Sequence, residues 1–175
     1  PSSFYGMTLA HIGVGVFAIG IALTSAFSVE KQVRMAPGDH QLIGGYDFRF
    51  DGVIDVRGPN YLAQRGVITV LKDGLPVSRL EPEKRTYQVQ RNPMTEAGIE
   101  AGLMRDLYVS LGEPLDDGQS WGLRLYLKPF IRWIWLGALL IAIGGLIAGF
   151  DRRYRLPSGI RNRSPSTVTT PSVGM

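Results

Sequence analysis

Two long apolar blocks bracket a middle segment in which apolar and polar residues alternate. From Pro1 to Val29 there is no Asp, Glu, Lys or Arg, and from Trp133 to Phe150 there is again none. An uncharged apolar run of about 18 residues or more is long enough to cross roughly 30 Å of hydrocarbon as a helix. The pattern predicts one transmembrane helix within residues 1–27, its apolar stretch running from Phe4 to Phe27, and a second within 129–150. A pair of buried core helices is the alternative. It is disfavoured because a chain of 175 residues could not wrap two fully apolar helices. A signal peptide is disfavoured by the missing basic leader and cleavage site, and Pro1 in place of Met suggests a chain cut from something longer.

The middle segment, residues 28–128, has period two. Tyr46, Phe48 and Phe50 alternate with Asp47, Arg49 and Asp51; Leu107, Val109 and Leu111 alternate with Tyr108 and Ser110; Trp121, Leu123, Leu125 and Leu127 alternate with Gly122, Arg124 and Tyr126. These are half-buried strands. Turn residues punctuate them at Pro37-Gly38-Asp39, Gly44-Gly45, Arg57-Gly58-Pro59-Asn60, Asp73-Gly74 and Asp116-Asp117-Gly118. The Asp73-Gly74 pair marks a hairpin between 66–71 and 75–80. A short helix is expected near Thr95 to Gly102, with Thr95 as its cap. The fold class is therefore a membrane protein of α+β type, with two transmembrane helices flanking a small external β-rich barrel- or sandwich-like domain. Pro129 ends the last strand and turns the chain into the second helix.

Charge adds an orientation. The middle segment holds 13 basic and 14 acidic residues, so the net charge of +4 comes from Arg132 and the five arginines after Asp151. Basic residues just beyond a span mark the cytoplasmic side. This puts the tail, residues 151–175, on the cytoplasmic side and the middle domain outside. Trp133, Trp135 and Tyr154 flank the second span as an interfacial belt would. The tail itself, rich in Pro, Ser, Thr and Arg, reads as disordered. No basic stripe crosses a folded domain, so the high isoelectric point gives no nucleic-acid reading.

Candidate chemistry is sparse. With no cysteine there is no thiolate site, and only two histidines exist. His11 lies roughly ten residues, about 15 Å, into the first helix. An ionisable group at that depth is a functional hypothesis by default. Thr8, Gly15, Ala18, Ala22 and Ser25 share its face, a small and slightly polar stripe that another helix or a flat macrocycle could approach. A neutral imidazole there suits an axial haem ligand; a histidine that bonds a neighbouring helix without a cofactor is the other reading. His40, beside Asp39 in a turn, reads as a solvated histidine. Gly145 and Gly149, with Ala138 and Ala142 on the same face, signal helix packing and partners for the second span that two helices alone would not supply. The basic run Glu83 to Pro93 reads either as a docking loop for an anionic partner or as a strand edge guarded by charge.

Several spaced blocks resemble one family. Ser3-Phe4-Tyr5-Gly6-Met7-Thr8-Leu9-Ala10-His11-Ile12-Gly13 is similar to a late transmembrane helix of the cytochrome c maturation protein F family (CcmF). Glu30-Lys31-Gln32-Val33, Ala36-Pro37-Gly38, Gly58-Pro59-Asn60-Tyr61, Pro82-Glu83-Lys84-Arg85, Pro93-Met94-Thr95-Glu96-Ala97, Arg105-Asp106-Leu107-Tyr108-Val109, Lys128-Pro129-Phe130-Ile131-Arg132-Trp133 and Asp151-Arg152-Arg153-Tyr154 continue it in order.

The resemblance implies cytochrome c biogenesis: the carboxy-terminal part of a haem lyase subunit that takes haem from a chaperone, cytochrome c maturation protein E, and helps attach it to apocytochrome c. Cytochrome c maturation proteins H and I are the implied partners, with quinol as a further candidate. The family holds a b-type haem between two transmembrane histidines, and His11, in its Leu-Ala-His-Ile-Gly setting, matches the second of them. The cofactor implied is therefore haem b, with His11 as axial ligand of its iron; His40 matches no family histidine. The family's tryptophan-rich segment and its other haem histidines are not in this chain, so the piece alone is expected to be inactive. A similar branch serves nitrite reductase maturation. A non-catalytic assembly module that binds partner proteins, or a haem transporter component, are the alternatives.

Overall fold

A computed structural model describes residues 2–89, 92–115 and 119–150. The Asp116-Asp117-Gly118 turn, the Gln90-Arg91 part of the basic run and the whole tail lie outside the described residues.

Alternation along the chain becomes a sandwich of two antiparallel sheets. Strand β1 (Val29–Met35), β8 (Gly98–Ala101), β9 (Arg105–Pro114) and β10 (Trp121–Pro129) form one sheet in the order β1-β10-β9-β8. Strands β2 (His40–Ile43), β3 (Tyr46–Arg57), β4 (Tyr61–Lys72), β6 (Glu83–Tyr87) and β7 (Pro93–Glu96) form the other in that order. Strand β5 (Leu75–Leu80) also pairs with β4. The long strand β4 serves two neighbours on one edge, β5 from Ile68 to Lys72 and β6 from Tyr61 to Arg65. The inner faces meet as expected of half-buried strands: Phe48, Phe50 and Val70 of one sheet and Leu107, Val109, Leu111 and Leu125 of the other are all fully buried. The expected hairpin is there too. Asp73 (φ 52°) and Gly74 (φ 78°) both take left-handed backbone, as a type I′ turn requires.

One local expectation fails. Residues 95–102 are not a helix; they are the end of β7 and the whole of β8. Gly98 and Gly102 cost helix stability, and pairing partners decide the outcome: Thr95 opposes Lys84, and Ile99 opposes Tyr108.

Two helices leave one end of the sandwich, α1 (Ser2–Phe27) and α2 (Ile131–Gly149). Both are long and apolar enough to cross a membrane. They run antiparallel and very close. Gly6, Gly13 and Gly20, seven apart, face Gly144, Gly137 and Ile134 in turn. A Cβ added to Gly6 would lie 2.6 Å from the Ala148 backbone nitrogen, and one on Gly20 2.9 Å from that of Ile134. Backbone approach of this kind is what small residues permit between apolar helices. The Gly145–Gly149 pair singled out from the sequence lies outside this seam, on a face where an added Cβ would meet nothing within 4 Å.

The helix pair continues the strand pair without a linker. Only Ser28 separates α1 from β1, and only Phe130, in left-handed backbone at φ 57°, separates β10 from α2. Strands β1 and β10 are hydrogen-bonded neighbours with Val29 opposite Leu127. The Thr24 hydroxyl donates to the Pro129 carbonyl at 2.8 Å and ties the helix end to the strand end. The other sheet is fixed at the same end, where the Arg105 Nε donates to the Tyr46 hydroxyl at 2.9 Å. The turn between β3 and β4 is therefore at the end of the sandwich away from the helices.

Candidate functional site

Helix α1 has no charge and no proline after Pro1, so nothing interrupts its 26 residues. Its glycine stripe decides which way it faces. His11 is two residues from Gly13, about 200° around a helix of 3.6 residues per turn. With Gly13 buried against α2, His11 points away from it and is exposed. The stripe read from the sequence shares that direction: Thr8, Gly15, Ala18, Ala22 and Ser25 are all exposed. An added Cβ on Gly15 would meet nothing within 4 Å. The face is open, with a histidine in a shallow track of small side chains.

The His11 ring has one settled contact. Its Nδ1 lies 2.8 Å from the Met7 carbonyl oxygen. A carbonyl only accepts, so Nδ1 carries the proton and Nε2 of the neutral ring keeps its lone pair. Nε2 is the atom left to bind a ligand beyond the helix. Metal-ligating histidines have this arrangement, one nitrogen on the metal and the other donating to a carbonyl that fixes tautomer and ring orientation. The residues present fit an axial haem ligand, with small neighbours leaving room for a flat ring. His40 lies outside the helices, opening β2 with Nδ1 2.7 Å from Asp47. It is half exposed and paired, in a strand rather than a free turn. Among the described residues no cluster of three or more His, Asp or Glu could hold a metal ion.

The basic run is mainly structural. Its first part is β6, which lies between β4 and β7 and so is not a sheet edge. Glu83 is only 5% exposed and accepts from the Arg65 and Arg85 Nε atoms, each at 2.6 Å. Burial alone would push its carboxyl up, but the two guanidinium hydrogen bonds outweigh it and hold it below the usual carboxylate range. Lys84, on the opposite face of β6, pairs with Glu113 of β9 and links the two sheets. Arg85 also lies over the Tyr61 ring, 4.7 Å from its centre. The sequence gives Glu83 no distinguishing mark, since its partner Arg65 is on another strand. An open groove of about 720 Å³ lies at the end of the sandwich away from the helices, between Arg57, Leu62, Gln64, Lys84 and Pro93.

Known proteins match both the sandwich and the helix that carries His11. The family described as CcmF C-terminal beta-sandwich matches residues 26–129. A Haemophilus influenzae protein, "Cytochrome c-type biogenesis protein CcmF", is 57% identical over 153 residues, covering 87% of this chain and 24% of its own length. A Pseudomonas aeruginosa protein of the same name is 53% identical over 161 residues, covering 92% of this chain and 24% of its own. A solved structure, "Cytochrome c Heme Lyase CcmF", superposes with a TM-score of 0.69 at 18% identity over 83% of this chain and 24% of that one, which supports the fold. The chain spans about a quarter of the length of these relatives. With a family match over more than half its residues and this level of identity, the chain belongs to the CcmF family of cytochrome c-type biogenesis proteins.

Proposed function

We propose that this chain is the carboxy-terminal part of a haem lyase subunit in cytochrome c biogenesis, and that His11 is an axial ligand of a b-type haem in the membrane. The observation that carries the reading is the His11 ring itself, with Nδ1 committed to the Met7 carbonyl and Nε2 turned to an open face of small residues. When bound, a b-haem would supply an electron that keeps delivered haem ferrous for thioether formation. The residues here hold and orient. Met7 fixes the tautomer of His11; Gly15 and Ala18 keep the approach clear; α2, packed on the other side through glycines, holds the helix so that His11 faces outward.

In this reading α1 and α2 span the bacterial inner membrane, the sandwich (28–128) is periplasmic and the basic tail (151–175) cytoplasmic. The arginines that follow α2 support this orientation. Haem would come from the chaperone cytochrome c maturation protein E. Cytochrome c maturation proteins H and I would present apocytochrome c, and quinol is the candidate electron source. The test is His11→Ala in the full-length protein. Loss or marked weakening of the b-haem Soret band at unchanged protein level is expected. An unaltered band with full haem stoichiometry would sink the assignment.

A further inference from the structure

The link between β8 and β9, residues 102–104, is held against the start of α2. The Phe130 amide donates to the Met104 carbonyl at 2.9 Å, and Pro129 pairs with Arg105. The Gly102 amide donates to Asp106 Oδ1 at 2.9 Å, and the same oxygen lies 3.7 Å from Nε of Arg132 in α2. The turn is thus fixed at the level of Phe130. Its two side chains are apolar and open: Leu103 is 64% and Met104 55% exposed. Helix α2 has 19 residues, about 28 Å at 1.5 Å each, so a span of that length puts Phe130 at the edge of the hydrocarbon. Trp135, one turn below, is 74% exposed, where an interfacial aromatic would sit. A groove of about 360 Å³ lies beside this root, between Asp106, Ile131, Arg132 and Trp135.

We propose that Leu103 and Met104 form a wedge that enters the bilayer leaflet on the sandwich side. The occupant of this surface is lipid, because the patch lies level with Phe130 at the root of α2, one turn above the exposed Trp135, at the depth where that aromatic residue marks the interface. The wedge gives the sandwich a contact with the membrane beside the two helix roots, and so sets its tilt. Exposed apolar side chains level with an arginine at the head of a helix, here Arg132, are the composition of an interfacial anchor.

The proposal rests on reading α1 and α2 as spans. The test uses the full-length protein in lipid nanodiscs, on a background without other cysteines, with a nitroxide label on Leu103→Cys, on Met104→Cys and on Leu62→Cys at the far end. Collision with oxygen is expected to dominate over collision with an aqueous nickel chelate at 103 and 104, and the order to reverse at 62. Labels at 103 and 104 that meet the nickel reagent as freely as the one at 62 overturn the wedge. So do labels shielded from both reagents, since protein would then cover the turn. A label on Leu139→Cys, midway along α2, separates the two readings. Free access of the nickel reagent to 139 counts against the spans, and a label at 139 closed to nickel while Leu103 reads aqueous counts against the wedge alone.

Discussion

Gly13 of α1 faces Gly137 of α2 so closely that neither has room for a side chain. A Cβ on Gly13 would lie 2.9 Å from the Gly137 carbonyl oxygen and 2.7 Å from the Ile141 backbone nitrogen. Gly13→Ala should therefore force the helices apart despite alanine's better helix propensity, at a cost of about 1–3 kcal/mol. Gly145→Ala adds the same methyl where nothing lies within 4 Å and should stay within about 0.5 kcal/mol of the parent. Thermal melts of the two variants in the same detergent compare them directly. Equal melting temperatures would contradict the packing face.

Glu83 is the acid between two guanidiniums, and Glu83→Gln should cost about 1.5–3 kcal/mol. The amide replaces one accepting oxygen with a donor that faces an arginine, so Arg65 or Arg85 loses one of its acceptors, with Glu81 or Glu96 still in reach. Both arginines are partly exposed and can turn to water, which places the loss at the lower end of that range. Tryptophan-fluorescence unfolding reports it through the buried Trp121.

The same carboxylate gives the sandwich an acid limb. Its folded-state pKa is held below the ordinary 4.5. Asp51 is also lowered, burial being outweighed by hydrogen bonds from Thr69 and Arg49. A depressed carboxylate stabilises the fold fully above its unfolded value and loses that contribution as pH falls through the folded value. Stability should thus be level around neutral pH and drop below about pH 4.5. Glu83→Gln should show a shallower drop over that window, because one of the titrating groups is gone. Urea midpoints measured across the window decide it.

At the β4–β5 turn, Gly74→Val should cost about 1–2 kcal/mol, since a β-branched residue resists the left-handed backbone that this position adopts at φ 78°. Asp73→Asn, which tolerates the same region, should leave stability nearly unchanged. A shift of similar size from both would mean that the turn type does not matter.

The strands with strict alternation were legible because each buries one face in the shared core: Phe48 and Phe50, Leu107 to Leu111, Leu123 and Leu125. The Asp73-Gly74 hairpin was legible from local chemistry alone. Strands β7 and β8, four residues each, were not, since their pattern is too short for a period and their pairing depends on β6 and β9. The helix seam was missed for a related reason. Both Gly145–Gly149 and the seven-residue series Gly6, Gly13, Gly20 are small-residue stripes, and only the register between the two helices shows which one lies between them. His11 stood out because an ionisable residue in an uncharged span is rare, yet its outward direction follows from that same unseen seam. Glu83 lay in a run of charges and took its meaning from Arg65, eighteen positions earlier.

The absence of a linker at either helix root has a mechanical consequence. Bonded strands that run straight into packed helices form one lever, with His11 about 24 Å down from the Phe27 end. A protein that docks on the sandwich cannot swing it on a loose hinge. In the proposed membrane placement any tilt it imposed would be carried down the shaft to the imidazole, so that occupancy outside the bilayer and geometry within it would be read by the same rigid piece.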